Sequence, residues 1–217
     1  MSRALEPQLR AGLQALELAL DEAQITALLD YVDLIQKWTR VYNLTAVRDP
    51  HDMLTHHLLD SLAVVRPLRT QLAALGCNEA VRVLDVGAGA GLPGVVLAIC
   101  CPTMTVHCVD TVAKKAAFVQ QAAVSLKLPH LRGIHARVES LTEPYDVVCS
   151  RAFASLADFT QWSVGALAPQ GVWMAMKGKH PAAEVLTLDP SVQVFHVEPL
   201  QVPDLDAERC LVWMRRA

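Results

Sequence analysis

The run Val83-Leu84-Asp85-Val86-Gly87-Ala88-Gly89-Ala90-Gly91-Leu92-Pro93-Gly94 constrains this chain more than any other stretch. It reads as a buried strand that breaks into a glycine-rich turn and then opens a helix over roughly 92–100. Glycines let the backbone turn sharply and let a ligand lie against bare main chain. The helix behind them aims unsatisfied N–H groups at whatever rests there. Twenty-five positions after Asp85, a second strand (105–110) ends in Asp110, a carboxylate placed to accept hydrogen bonds from two ribose hydroxyls. These features describe a nucleoside-containing ligand lying across the carboxyl ends of parallel strands.

The spacing fits two cofactors. Gly89-Ala90-Gly91-Leu92-Pro93-Gly94 formally matches G-x-G-x-x-G, and Gly91 to Asp110 is about the distance a dinucleotide fingerprint expects. The charge of Asp85 separates them. Two residues before the first glycine, its carboxylate is expected to project into the bend, where it repels a pyrophosphate and attracts the ammonium and sulfonium of S-adenosylmethionine. S-adenosylmethionine is therefore the expected cofactor, with NAD and a purely structural turn as the alternatives.

The rest of the chain fits that expectation. Its 217 residues suit one good-sized domain, and 53% hydrophobic content supports a large core. A formal net charge of −3 gives no electrostatic footprint for nucleic acid, so any basic surface must be local. Arg3, Glu6, Arg10 and Glu17 interrupt the N-terminus, which argues against a secretory signal. The longest apolar run, 95–101, is too short to span a bilayer, so a cytoplasmic protein is expected. Six cysteines form no C-x-x-C pair and read as buried reduced thiols rather than metal ligands or disulfides.

The first seventy-odd residues read as helical. Asp21 and Gln24 make a capping pair for a helix to about residue 40, with Ile25, Leu28, Leu29, Val32, Ile35 and Trp38 on its apolar face. Asp49 caps another helix, with Pro50 at its first position, expected to run to about residue 65, ahead of Pro67. From residue 81 strands alternate with helices. The strands are expected at 81–86, 105–110, 131–136, 145–150, 171–177, 192–198 and 209–215, with helices near 92–100, 112–127, 155–167 and 181–187. Strands separated by amphipathic helices imply a parallel sheet, and the loop between the last two implies an antiparallel hairpin. The expected fold is an α/β class I methyltransferase, Rossmann-like, with a seven-stranded mostly parallel sheet and an N-terminal helical extension. Residues 1–76 form the extension packed on the sheet and 77–217 the methyltransferase domain, in one compact unit.

In such a sheet function gathers at the strand C-termini. Ala136-Arg137-Val138-Glu139 follows the third strand, where Glu139 either touches the adenine ring or caps the next turn. Ser150-Arg151-Ala152-Phe153-Ala154-Ser155 and Met176-Lys177-Gly178-Lys179 end the next two, placing cations beside a cofactor pocket. The polar-Pro-Pro-aromatic signature of exocyclic amine methylation is absent, and Cys149 lies within a strand without the proline that a cytosine C5 nucleophile needs. No histidine–carboxylate pair stands out as a general base. His56 and His57 remain the candidates, His57 with Asp60 three apart on one helix, and a structural histidine is the plainer reading. A missing base points to an acceptor that needs no deprotonation, such as guanine N7, where the enzyme contributes alignment.

Several runs appear in order: Asn43-Leu44-Thr45-Ala46-Val47-Arg48-Asp49, His57-Leu58-Leu59-Asp60-Ser61, the glycine run, Ser150 to Ser155, Lys177-Gly178 and Leu200-Gln201-Val202-Pro203. Over roughly 21–212 the chain closely resembles the ribosomal RNA small subunit methyltransferase G family, also called glucose-inhibited division protein B. The resemblance implies methyl transfer from S-adenosylmethionine to N7 of a guanine in 16S ribosomal RNA near the decoding site. It implies that Gly87, Leu92, Val138, Glu139 and Arg151 line the cofactor site and that Asp110 is the ribose carboxylate; Asp85 and Gly89 are expected there from the glycine run itself. Asn43, Arg48, Arg137 and Lys177 match polar positions suited to holding RNA. The implied partner is 16S ribosomal RNA or the small ribosomal subunit, with no metal and no membrane, and a monomer is expected. Ala90 stands where many members have proline, and His56 replaces a frequent arginine. A binding module that holds S-adenosylmethionine without turnover and docks a partner through its N-terminal helices is the alternative.

Overall fold

The computed structural model describes residues 2–77 and 80–217. Valine- and leucine-rich strands flanked by helices form one seven-stranded sheet. Its strands are β1 (Arg82–Val86), β2 (Thr105–Asp110), β3 (Leu131–His135), β4 (Tyr145–Arg151), β5 (Leu167–Lys177), β6 (Val192–Pro199) and β7 (Cys210–Arg216), in the order β3-β2-β1-β4-β5-β7-β6. The first five strands pair in parallel, and β7 runs antiparallel to both β5 and β6. The expected terminal hairpin is present. β5 begins four residues earlier than the pattern suggested, with a register irregularity opposite Tyr145 and Val147.

Alternation along each strand supplies two cores. Val83, Val106, Cys108, Val147, Cys149, Val172 and Met174 face one side, where they join a core shared with the helices before β1. Leu84, Val86, Val109, Val148, Trp173 and Ala175 face the other. Burial of both faces is what a parallel sheet requires. The first side carries α1 (Glu6–Ala15), α2 (Glu22–Tyr42), α3 (Pro50–Met53), α4 (Asp60–Leu62), α5 (Val65–Ala74), α6 (Gly94–Cys100) and α7 (Ala113–Ser125). The second carries α8 (Leu156–Ser163), where Trp173 Nε1 donates to Ser163 Oγ at 2.9 Å. A short α9 (Ala182–Val185) precedes β6.

The start signals read from sequence hold. Asp21 accepts from Gln24 N and the Gln24 side chain accepts from Asp21 N, a complete capping box. Asp49 accepts from His51 N and Asp52 N, with Pro50 in the first turn. The stop signal at Pro67 does not hold. The helix from Pro50 ends at Leu62, and Pro67 sits in the first turn of α5, where its missing N–H breaks no intrahelical bond. Between α3 and α4 the chain is π-helical over Leu54–Leu59. This wide turn shifts the phase of His56, His57 and Asp60, and such turns concentrate at functional sites. All six cysteines are free, and burial pushes the thiols of Cys100, Cys101, Cys108 and Cys149 up, which makes them poor nucleophiles. No helix among the described residues is long and apolar enough to cross a membrane.

Candidate functional site

Strand register gathers the chemistry at one sheet end. Val86 pairs with Val109 and with Ser150, so Gly87, Asp110 and Arg151 emerge side by side. Arg151 pairs with Met176, and Lys177 with Cys210. Because β7 is antiparallel, Arg209 lies where the parallel strands finish. The order reverses between β1 and β4, the switch point where an open α/β sheet leaves a crevice.

Two cavities of about 520 Å³ each flank Gly87. The first is lined by Val86, Gly87, Asp110, Val112, Arg137, Val138, Glu139, Phe153 and Trp162, among others. Asp110 organises it: Oδ2 accepts from Gly89 N at 3.0 Å and Oδ1 from Val112 N at 2.8 Å, with Lys115 Nζ 3.8 Å away. The carboxylate thus fixes the glycine loop and the loop after β2 together. Each of its oxygens keeps a lone pair for a ribose hydroxyl. Val138 is buried, whereas Glu139 is exposed on a 3-10 turn (Val138–Ser140) at the cavity wall. Arg137 is exposed, and its side chain makes no hydrogen bond or ion pair among the described residues.

The glycine loop bends as expected. Gly87 has φ +66°, and a Cβ there would run into the Phe153 ring. Gly89 has φ +59°, and a Cβ on it would meet only Gly87 O at 3.9 Å, so it opens onto free space that a ligand can fill. From α2, the buried Tyr31 hydroxyl donates to Ala90 O and lies 3.2 Å from Gly91 O. Tyr31 was absent from the predicted apolar face, although a buried tyrosine needs a hydroxyl partner. The loop is held through its carbonyls, so alanine at position 90 keeps the anchor.

Asp85 corrects the sequence reading. Its side chain lies beneath the loop under α6, fully buried, with Oδ2 accepting from Gly94 N at 2.8 Å, and it lines neither cavity. Burial drives its pKa up to about 7 against the opposing Gly94 N–H bond. Asp85 is therefore no full charge facing a ligand, and it shares the α6 side of β1 with Val83. The attraction to a sulfonium argued from Asp85 does not stand.

The second cavity is lined by Leu44, Thr45, His56, His57, Asp60, Gly87, Ala88, Gly89, Leu92, Arg151, Met176, Lys177 and Arg209, among others. Asp60, not Asp85, is its acid. Asp60 Oδ2 accepts from Arg151 Nη1 at 2.8 Å and Oδ1 from Arg209 Nε at 2.9 Å. Asp60 does not pair with His57, which instead shares a 2.8 Å hydrogen bond through Nε2 with Thr45 Oγ1. Burial, then the Arg151 charge, pulls His57 down to about 4, which leaves it neutral and a weak base. His56 is exposed, and its carbonyl accepts from Arg151 Nη1 at 2.9 Å. Lys177 is spoken for by Glu184 at 2.8 Å and Ala154 O at 2.9 Å. At the end of α2, Asn43 sits in the left-handed region and accepts from Arg48 Nη2 at 2.5 Å, while Arg48 Nη1 donates to Thr39 O. Sequence reasoning missed Arg209, which carries no motif, and missed the partners of Asp60.

The two cavities meet at Gly87 and Ala152, which line both, and their residues suit a ligand with a nucleoside at one end and an amino acid at the other. Fold and site together define a class I S-adenosylmethionine-dependent methyltransferase. Solved structures share the fold: the N-methyltransferase NodS of Bradyrhizobium japonicum WM9 with S-adenosyl-L-homocysteine (TM-score 0.57, 14% identity, 83% of this chain and 98% of that one), and TrmN of Thermus thermophilus (0.55, 18%, 69% and 48%). A family model described as rRNA small subunit methyltransferase G (GidB) matches residues 24–212. Proteins named ribosomal RNA small subunit methyltransferase G from Polaromonas sp. strain JS666 and Albidiferax ferrireducens are 68% and 66% identical, over 98% and 99% of this chain and 94% and 99% of theirs. The chain belongs to the rRNA small subunit methyltransferase G family.

Proposed function

We propose that this protein transfers a methyl group from S-adenosylmethionine to N7 of a guanine in 16S ribosomal RNA of the small ribosomal subunit. When bound, S-adenosylmethionine supplies an electrophilic methyl on a sulfonium. The observation that carries the N7 assignment is the state of the proton acceptors in the second cavity. Asp60 is taken by two arginines, Lys177 is ion-paired, His57 is a weak base, and the exposed His56 has no carboxylate partner among the described residues to orient it as one. An acceptor with an in-plane lone pair needs none of them, so the chain's work is alignment of two reactants. Among the described residues no group of three or more histidines, cysteines, aspartates or glutamates is placed to hold a metal ion.

In this reading Asp110, Val138, Glu139 and Phe153 hold the nucleoside, Gly87, Gly89 and Leu92 pass the amino-acid end, and Arg151 with Arg209 faces the second cavity. Arg137 is the cation best placed to meet RNA, because its side chain is unengaged. Asn43 and Arg48 shape the RNA-side rim through their mutual bond, and Lys177 braces it through Glu184. Residues 1–76 act with 77–217 as one unit, since Tyr31 grips the glycine loop. A net charge of −3 favours an assembled particle over bare RNA as substrate, with the protein acting as a monomer in the cytoplasm. Incubation with small subunits and methyl-labelled S-adenosylmethionine, followed by nucleoside mapping, is expected to give one N7-methylguanine in 16S RNA. Label in protein, or at a nitrogen other than N7, refutes the assignment.

A further inference from the structure

Asp60 is 2% exposed, yet it borders the second cavity and divides its two oxygens between guanidiniums 91 and 149 residues away in sequence. Arg151 spends Nη1 on Asp60 and His56 O, and Arg209 spends Nε on Asp60 and Nη1 on Glu208 O. Arg151 Nε and Nη2 and Arg209 Nη2 make no hydrogen bond among the described residues. One acid against two bases leaves the trio at +1. The other cation of the cavity, Lys177, is balanced by Glu184, and His57 is neutral.

That charge matters for the reaction proposed above, on which this inference rests. The carbon–sulfur bond breaks with its electron pair left on sulfur, and the N7 lone pair forms the new bond. Positive charge leaves the sulfur and arrives on the purine, with no proton transferred. The cavity therefore holds a cation before and after the step. Two uncompensated guanidiniums would oppose it throughout, since a unit charge about 10 Å away at an effective dielectric near 20 shifts binding on the order of tenfold.

We propose that Asp60 is a positioning residue that sets the charge of the transfer cavity: its carboxylate turns Arg151 and Arg209 so that their free N–H groups face the cavity, and it cancels one of their two charges. The trio then offers donors to an acceptor such as a carboxylate or a guanine O6 at the lowest positive charge that two arginines allow. This is the electrostatic part that sequence reasoning had assigned to Asp85, moved to an acid that borders the cavity.

The test compares S-adenosylmethionine with S-adenosylhomocysteine, which lacks the methyl and the sulfur charge, by calorimetry on the full chain. Asp60→Asn is expected to weaken S-adenosylmethionine on the order of tenfold more than S-adenosylhomocysteine. Arg209→Met is expected to shift the ratio several-fold in the opposite direction, and the double variant to return it close to the wild-type value. Equal losses for both ligands in Asp60→Asn overturn the proposal and leave Asp60 a structural acid. Should Asp60→Asn fail to fold, Arg209→Met decides, and an unchanged ratio there overturns it. Wild-type protein that binds neither ligand sinks the methyl-transfer reading itself. Wild-type protein that methylates, with variants of unaltered ratio, sinks only the role of Asp60.

Discussion

The two cavities flanking Gly87 are built in different ways. The Asp110 cavity is assembled from one stretch, 86–162, and its key carboxylate is fixed by backbone N–H groups of neighbouring loops. The Asp60 cavity draws side chains from the helices before β1, the glycine loop and the ends of β4, β5 and β7, held by pairs far apart in sequence. The first is a backbone cradle and the second a tertiary charge arrangement. Parts that neighbour one another in sequence build the first, whereas the second exists only once the whole fold has brought its parts together.

The contrast breaks most visibly if Asp85, which belongs to neither cavity, proves to touch the ligand. Its pKa rises on folding from 3.8 to about 7, so the native state holds a proton that the unfolded chain has lost. Stability is therefore highest below about pH 4 for this group and falls as pH rises to about 7, by up to roughly 4 kcal/mol. Asp85→Asn is expected to remove that slope, raising stability at pH 8 more than at pH 5 in denaturant titrations, with cofactor affinity changed less than threefold. A tenfold loss of affinity would place Asp85 in contact with the ligand.

Asp110→Ala comes next. The ribose hydroxyls lose a charged acceptor, each such bond being worth about 1.5–3 kcal/mol, and two backbone donors of the loops lose theirs, so S-adenosylhomocysteine affinity is expected to fall at least about 100-fold by calorimetry. A loss under tenfold would mean that the loop keeps its shape unaided and that the cradle is not preorganised by this residue. Tyr31→Phe tests the link between the N-terminal helices and the loop. Removal of the hydroxyl is expected to cost about 1–2 kcal/mol in stability and several-fold in affinity, and a silent variant would detach the helices from the cofactor site. The smallest effect is expected at Asn43. Asn43→Ala leaves a left-handed residue without its Arg48 contact, costs about 1 kcal/mol or less, and lowers particle methylation while S-adenosylhomocysteine binding stays unchanged.

What could be read from the chain follows the same division. The strand ends, the capping box at Asp21 and the Asp110 turn depend on neighbours within a few residues or on one strand–helix repeat, so pattern alone places them. The direction of Asp85 was open to the same logic, because period-two alternation puts it on the side of Val83, which α6 covers. The prominence of the glycine motif hid that. Pro67 misled because a proline in a first helical turn and a proline that ends a helix look alike in sequence. The π turn at Leu54–Leu59 has no composition signal and disrupts the helical spacing that made His57 and Asp60 look like partners. Asp60 finds its arginines only once β4 and β7 lie in one sheet.

A crystal structure with S-adenosylhomocysteine would test the two-cavity account most directly. The account predicts adenosine between Val138 and Phe153 with its ribose on Asp110, and the sulfur passing Gly87 toward the arginines held by Asp60. A ligand confined to one cavity, or a ribose bound away from Asp110, would contradict it.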